Sequence, residues 1–193
     1  MPLERSRLDE AAGVLARAFH DDPAWCWILP DERRRAALLP WLFRTAIAAS
    51  LAGGRVDTTP DVAGAALWIP TGDGLLEANR AARRALLAAP LRLRSAYGRF
   101  RAYTQWNWEV QQRAREGPSL FLSGLAVDPG RQRAGIGGAL VEAGVARHPD
   151  VPALLLTNSA ANVRFYERHG FEVVLDEPMP EGVPTWAMLR TPR

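Results

Sequence analysis

The stretch VDPGRQRAGIGGALVEAG, residues 127–144, predicts a strand end that turns at Pro129 and Gly130 and enters a helix whose first turn is rich in glycine. A helix begins with unpaired backbone N–H groups and roughly half a positive charge. Because glycine has no side chain, an anion can approach those groups closely, and phosphate is a common choice. The stretch therefore predicts a βα unit that holds a phosphate compound.

Two common phosphate-binding motifs do not fit this stretch. The dinucleotide fingerprint requires a further glycine three residues after Gly137, and Leu140 stands there. The P-loop requires glycine, lysine and then serine or threonine, and the chain contains no lysine. The pattern therefore argues against both nucleotide-binding folds.

The composition is that of a globular protein. A chain of 193 residues with 48% apolar content can bury a core of its own. No run approaches the roughly 18 apolar residues of a membrane span, and the N-terminus lacks a signal-peptide pattern. Cys26 has no second cysteine to pair with, which fits a reducing compartment. We expect one domain covering residues 1–193, located in the cytoplasm.

The net charge is small despite a high isoelectric point. Arginine supplies all 24 basic residues against 21 acidic ones, so a slight excess keeps the pI near 9.7. Such a pI is weak evidence for nucleic acid, and we expect neither a nucleic-acid nor a membrane partner. Residues 80–101 hold seven arginines and no acid, which indicates either a solvated helix face or a contact with an anion.

Hydrophobic periodicity predicts alternating strands and helices along the chain. Ser6 and Asp9 have the spacing of a capping box at the start of the first helix. The predicted helices cover residues 6–19, 32–51, 74–116 with a break at Pro90 and 160–170, and one more helix follows the glycine loop in the stretch 127–144. The predicted strands cover residues 55–59, 62–70, 119–127, 151–157, 171–177 and 184–190.

Two blocks of sequence resemble the GNAT (GCN5-related N-acetyltransferase) superfamily. The first, LAVDPGRQRAGIGGAL, contains the family's Gln/Arg-x-x-Gly-x-Gly/Ala pattern, and the second, TNSAANVRFYERHGF, contains its downstream signature. AFHDDPAWCWILPDERRR and MPEGVPTWAMLR extend the likeness to the puromycin N-acetyltransferase-like group. The matching residues are Gln132, Gly135, Gly137, Asn162, Phe165, Tyr166, Gly170 and Phe171.

The resemblance implies an α/β (α+β) fold of GNAT type and acetyl-CoA as cosubstrate, with no metal. The implied sheet is mixed, has about six or seven strands flanked by helices, and splays between its two parallel central strands. The pantetheine arm of the cosubstrate would pair with the splayed strand, and its pyrophosphate would lie on the glycine loop. The implied acetyl-CoA-binding residues are Leu125, Ala126, Val127, Gln132, Arg133, Ala134, Gly135, Ile136, Gly137, Gly138, Asn162, Phe165 and Tyr166.

Acetyl transfer to an amine requires a stabilised oxyanion and a proton for the departing thiolate. A phenol titrates near pH 10 and a thiol at about 8.5, so a tyrosine stays protonated and can supply that proton. The family pattern assigns this role to Tyr166. A backbone N–H of Leu125 or Ala126 would stabilise the oxyanion. Asn162 either orients the pantetheine arm or caps the helix that carries Tyr166.

The general base is open, because Leu156 and Ser119 stand where relatives often have glutamate and histidine. Asp21, Asp22 and Glu109 are candidate replacements, and a water chain is equally possible. The three histidines, His20, His148 and His169, lack the spacing of metal ligands.

Tryptophan is unusually frequent, with seven residues, and four of them fall in the two segments that form the acceptor side in this family. They indicate an apolar or aromatic amine, although core packing also explains such residues. We expect direct attack by a small primary amine in a ternary complex, in a monomer or homodimer. Acylation of a protein or peptide amine and a catalytically silent acyl-CoA-binding module stay open. The candidate acceptor residues are Asp22, Trp25, Trp27, Trp106 and Glu109.

Overall fold

Six strands form one mixed sheet in the computed structural model, which describes residues 1–192. They are β1 (Arg55–Thr58), β2 (Gly64–Pro70), β3 (Leu120–Val127), β4 (Ala153–Thr157), β5 (Glu172–Asp176) and β6 (Trp186–Arg190). Their order in the sheet is β1-β2-β3-β4-β6-β5, and every neighbouring pair is antiparallel except β3 and β4. The structure thus confirms the mixed sheet with a central parallel pair.

Eight α-helices connect and cover the strands in the described part of the chain. They are α1 (Leu8–Ala18), α2 (Pro23–Ile28), α3 (Glu32–Gly53), α4 (Asp73–Ala85), α5 (Ala89–Leu93), α6 (Tyr97–Arg113), α7 (Ile136–Val145) and α8 (Ala160–Glu167). The helix predicted over residues 32–51 and the helix predicted after the glycine loop are confirmed. Helix α2 was not among the predicted elements, since it has fewer than two turns and gives little periodic signal.

The two faces of the sheet bury different cores. On β2, Ala65 and Leu67 join a core cluster with α1 and α3, whereas Ala66 and Trp68 join a second cluster with α7 and α8. Successive strand residues point to opposite faces, so the two clusters lie on opposite sides of the sheet.

Helix α3 is long and apolar enough by composition to cross a membrane, which corrects our expectation that no stretch approaches such a span. The core helix of a globular protein meets the same criteria. Here α3 packs against α1 and α4, and its side chains Leu39, Phe43 and Ile47 are buried in the core. Burial on several sides accounts for its apolar composition.

Two local predictions were wrong. Ser6 does not cap α1, because its hydroxyl donates to Glu4 and a short 3₁₀ turn, Arg5–Arg7, precedes the helix. The helical region does not break at Pro90, which lies in the first turn of α5, where proline is tolerated. The breaks are the 3₁₀ turn Leu86–Ala88 and Arg94, whose φ is +48°.

The parallel pair separates after three residues. Leu120, Phe121 and Leu122 pair with residues 153–155, and beyond them β3 continues to Val127 without a partner on β4. The cause lies in β3, where the pairing with β2 shifts by one residue at Ser123. Such a β-bulge bends its strand and increases the local twist, and this opens the sheet at its centre.

Candidate active site

A cleft of about 350 Å³ lies where β3 and β4 separate. The end of β3 forms its floor, α2 and α6 contribute walls, and the end of β4 with the start of α8 closes the other side. Of the residues singled out from the sequence, those that line it are Asp21, Asp22, Trp25, Leu125, Ala126, Val127, Gln132, Leu156, Asn162 and Tyr166.

Tyr166 is a buried wall of this cleft. Its ring makes edge-on contacts with Phe165 and Phe171, at centroid distances of 5.0 and 5.7 Å. Burial raises the pKa of its phenol above the usual value, and no hydrogen bond to another residue between 1 and 192 opposes that shift. Tyr166 is therefore protonated at neutral pH, as the proton-donor prediction requires, while the donor role itself stays a prediction.

Asp22 places a carboxylate on the opposite wall. It caps α2, and its Oδ1 accepts hydrogen bonds from the N–H groups of Ala24 and Trp25 at 3.0 and 3.3 Å. Burial raises the pKa of Asp22 to about 6, and the two backbone donors offset part of that rise. The neighbouring Asp21 also reaches the cleft, but its side chain is 90% exposed. Asp22 thus has the environment of a general base near neutral pH.

An aromatic wall stands beside Asp22. Trp25 is buried against Phe43 and Tyr103, with ring centroids at 5.4 and 5.6 Å. Burial, together with the negative charge of Asp22, raises the pKa of Tyr103, so this phenol is also protonated. Tyr103 and Phe19 were missed from the sequence, since a single aromatic on an amphipathic helix does not reveal whether it faces a core or a cleft.

The glycine loop next to the cleft fits a phosphate. Gly135 precedes α7 with a φ of +79°, and within the described residues no side chain caps the helix. Arg133 is also left-handed, with a φ of +65°. A Cβ built on Gly137 would lie 3.5 Å from Phe165 and 3.6 Å from Val127, so a larger side chain would crowd these two residues beside the loop. The N–H groups of residues 136–138 are therefore free of side-chain competitors.

The structure does not bring Trp27, Trp106 and Glu109 to the cleft. Glu109 is exposed and accepts a hydrogen bond from Gln105, one turn away on the outer face of α6. Trp106 packs in a core cluster with Val110. Trp27 turns away from the cleft toward the loop between β5 and β6. A helix turns by 100° per residue, so nearby residues on it need not share a face.

Leu156 and Ser119, which stand where relatives often have glutamate and histidine, lie in different surroundings. Leu156 lines the cleft, so β4 offers an apolar side chain where relatives often have glutamate. Ser119 is buried outside the cleft, and its N–H donates to Thr71. Asn162 does not cap α8, since the residue before that helix is Ser159 and the amide of Asn162 donates to Thr157 at 3.2 Å.

The described residues do not form a candidate metal site. Between residues 1 and 192, no three His, Cys, Asp or Glu side chains come together as a metal site would require. His169 packs on Phe165 and contacts Glu142, with 20% of its side chain exposed.

A family model matches part of the chain. Residues 96–173 match the family model of the acetyltransferase (GNAT) domain, a range that holds the splayed strand, the glycine loop and Tyr166. Residues 96–173 are therefore similar to an acetyltransferase (GNAT) domain.

Solved structures share this architecture over the whole chain. A Corynebacterium glutamicum protein described as histone acetyltransferase HPA2 and related acetyltransferase has 24% identity and a TM-score of 0.72, with 100% of this chain and 95% of that one covered. Arylalkylamine N-acetyltransferase 2 from Aedes aegypti has 13% identity and a TM-score of 0.61, covering 100% and 98%. Drosophila melanogaster polyamine N-acetyltransferase has 14% identity and a TM-score of 0.56, covering 98% and 97%. At sequence identities this low, the likeness shows a shared fold and nothing about the substrate.

Proposed function

We propose that the protein is an acetyl-CoA-dependent N-acetyltransferase that acetylates a primary amine of a small apolar or aromatic molecule. One observation carries the proposal: a single cleft contains a carboxylate of raised pKa, Asp22, and a buried phenol, Tyr166, on either side of the unpaired end of β3. These are the groups that proton removal and proton delivery during acyl transfer require.

The donor side is formed by β3 and the glycine loop. Pantetheine pairs with the backbone of Leu125, Ala126 and Val127, which have no partner on β4. The pyrophosphate takes hydrogen bonds from the first N–H groups of α7, and Arg133 adds positive charge nearby. Gln132, whose side chain donates to the carbonyl oxygen of Val127 at 3.2 Å, ties the loop to the strand.

The reaction is a direct attack. The bound ammonium group first gives one proton to Asp22, directly or through water, and Asp22 passes that proton to solvent. The neutral amine then forms a bond to the acetyl carbon, whose oxygen becomes an oxyanion near the N–H of Leu125, and the nitrogen gives its second proton to Asp22. Collapse of that intermediate breaks the carbon–sulfur bond, and Tyr166 donates its proton to the departing thiolate. Solvent then returns a proton to Tyr166 and takes one from Asp22, so the cycle balances.

The acceptor side favours a cationic amine with an apolar body. Asp22 attracts the ammonium group, while Trp25, Phe19 and Tyr103 supply aromatic surface. Two proteins of the same fold are named for arylalkylamines and polyamines, which supports an amine acceptor. An arylalkylamine suits the aromatic wall better than a polyamine does, because a polyamine would leave a second charge against apolar rings.

Thiol release on a panel of acceptors tests the proposal. The purified protein is given acetyl-CoA with phenylethylamine, a polyamine, or a peptide with a free N-terminus, and the acetylated product is identified by mass spectrometry. We expect turnover with phenylethylamine to exceed that with the other two. Preference for the peptide would point to a protein N-acetyltransferase, and binding of acetyl-CoA without any turnover would point to a silent binding module.

Substitution of Gly137 by valine is expected to weaken acetyl-CoA binding by at least tenfold. The Cβ faces Phe165 and Val127, so the added methyl groups crowd two residues that the proposal places against acetyl-CoA, beside the first turn of α7. Isothermal calorimetry measures the affinity. Gly117→Val is the matched control, because nothing lies within 4 Å of a Cβ at that glycine. Equal affinities of the two variants for acetyl-CoA would contradict the proposal that the pyrophosphate binds at this loop.

A further inference from the structure

The loop between β5 and β6, residues 177–185, is joined to helix α2 by one carboxylate. Glu181 accepts a hydrogen bond from the indole N–H of Trp27, with 2.8 Å between Nε1 and Oε2. The same Oε2 lies 3.4 Å from Nη2 of Arg99, which belongs to α6. A loop, a short helix and a long helix therefore meet at this carboxylate.

Arg99 closes the arrangement from the other side. Its Nη1 donates to the backbone oxygen of Trp27 at 3.1 Å, and its guanidinium lies 5.7 Å from the centre of the Trp27 ring. Trp27 is thus held at its ring, its indole N–H and its backbone. We call Glu181, Trp27 and Arg99 the α2 latch.

The backbone of Glu181 is in a conformation that glutamate seldom adopts. Its φ is +65° and its ψ is +15°, in the left-handed region where glycine is favoured, and Gly182 follows with a φ of +85°. A glycine at this position would avoid the steric cost. A strained residue persists where its surroundings hold it in place, and the contacts of the Glu181 side chain do so here.

The latch lies on the far side of the helix that carries the acceptor groups. Asp22 caps α2, and Trp25 stands on its cleft side, whereas Trp27 points to the loop. Helix α2 has six residues, too few to hold its own position by backbone hydrogen bonds. Its orientation therefore depends on tertiary contacts: the core packing of Trp25 and Ile28 on one side and the latch on the other.

We propose that Glu181 is a positioning residue: through Trp27 and Arg99 it fixes α2, and so fixes Asp22 and Trp25 for the amine. The inference rests on the proposed function for its effect on turnover, and on the structure alone for its effect on α2. Glu181 itself does not line the cleft.

Two substitutions separate side chain from backbone. Glu181→Ala and Glu181→Gly both remove the latch carboxylate, and kcat/KM for the amine is expected to fall about 5- to 50-fold in each, with KM for acetyl-CoA within about twofold of wild type. Glu181→Gly also removes the backbone strain, so its Tm is expected to exceed that of Glu181→Ala by about 2–4 °C. Glu181→Gln keeps an oxygen for Trp27 and is expected to lie between wild type and alanine.

Glu177→Gln is the matched control, because Glu177 lies on the same loop and pairs with Arg113, not with α2. Its kinetics should equal those of the wild type. Hydrogen exchange gives a readout independent of turnover: the amides of residues 24–28 should exchange faster in Glu181→Ala than in Glu177→Gln. Unchanged exchange in α2 together with amine kinetics within twofold of wild type would overturn the inference. Absence of turnover in the wild type itself would count against the proposed function and leave the exchange result to decide on the latch.

Discussion

Replacing Asp22 with asparagine is expected to abolish most of the turnover and at the same time make the protein more stable at neutral pH. Asparagine caps a helix about as well as aspartate, so α2 keeps its start. It cannot accept a proton from the amine, and loss of a general base lowers kcat/KM by about 10²- to 10⁴-fold. Activity and stability thus move in opposite directions at one residue.

The stability change follows from the direction of the pKa shift. The pKa of Asp22 is about 6 in the folded chain and near 3.8 ordinarily, so between those values the folded chain binds more protons than the unfolded chain. The free energy of unfolding therefore decreases as the pH rises through that window, and the full cost is present above pH 6. With each pKa unit worth about 1.4 kcal/mol, Asp22→Asn should gain about 1–3 kcal/mol at pH 7.5 and little at pH 4.

Thermal unfolding at pH 4 and pH 7.5, with the pH profile of kcat/KM, measures both effects. The wild type should lose activity below about pH 6 with a slope of one, and Asp22→Asn should lack that limb. Asp21→Asn is the matched control, since its side chain is 90% exposed and it leaves the buried carboxyl in place. If the pH profile of kcat/KM is the same in Asp22→Asn as in the wild type, Asp22 is not the general base, and a water chain takes that role.

The glycine loop and the helix that carries Tyr166 could be predicted from the sequence because their signals are local. The glycine loop needs residues that tolerate positive φ next to a helix start, and Gly135 stands where one is required. The spacing from Asn162 to Tyr166 places both on one turn of α8, which is a statement about a helix and not about its neighbours. Short-range geometry fixes these residues before the fold is known.

The shape of the cleft depends on a β-bulge in β3 that the residue types there do not predict. Leu120 and Leu122 pack in the core cluster with α7, and after Ser123 the residue that packs there is Leu125, so the alternation changes from even to odd positions. The sequence SLFLSGLAV predicts a continuous buried strand. Because nearly all of its residues are apolar, one extra residue does not interrupt a visible alternation. Only the pairing with β2 reveals where the strand bends.

The cleft wall formed by α2 and α6 was predicted less well because its contacts join distant segments. Glu109 and Trp106 were predicted because the resemblance places their segment on the acceptor side, but on α6 it is Tyr103 and Asn107 that reach the cleft. Trp27 is paired with Glu181, which lies 154 residues away along the chain. Long-range contacts of this kind follow from how α2, α6 and the β5–β6 loop pack together, and a single sequence does not contain that information.

Replacing Tyr166 with phenylalanine is expected to lower turnover by about 10- to 10⁴-fold while acetyl-CoA binding changes less than about threefold. The ring contacts with Phe165 and Phe171 need no hydroxyl, so the cleft keeps its shape. The phenol has no protein hydrogen-bond partner in residues 1–192, so its removal should change the free energy of unfolding by less than about 1 kcal/mol. The loss then concerns the step in which the thiolate departs.

Free-thiol release under single-turnover conditions measures the step in which the thiolate departs. The two other tyrosines provide comparison variants. Tyr97→Phe removes the same hydroxyl at a position outside the cleft and should leave kcat unchanged. Tyr103→Phe removes a hydroxyl beside Asp22 and should act on KM for the amine more than on kcat, since it lies on the acceptor wall. If Tyr166→Phe instead turns over as fast as Tyr97→Phe with chemistry rate-limiting, the thiolate takes its proton from water. Leaving-group dependence would confirm the assignment: the defect should shrink with an acyl donor whose thiol has a lower pKa, because a better leaving group needs less help from an acid.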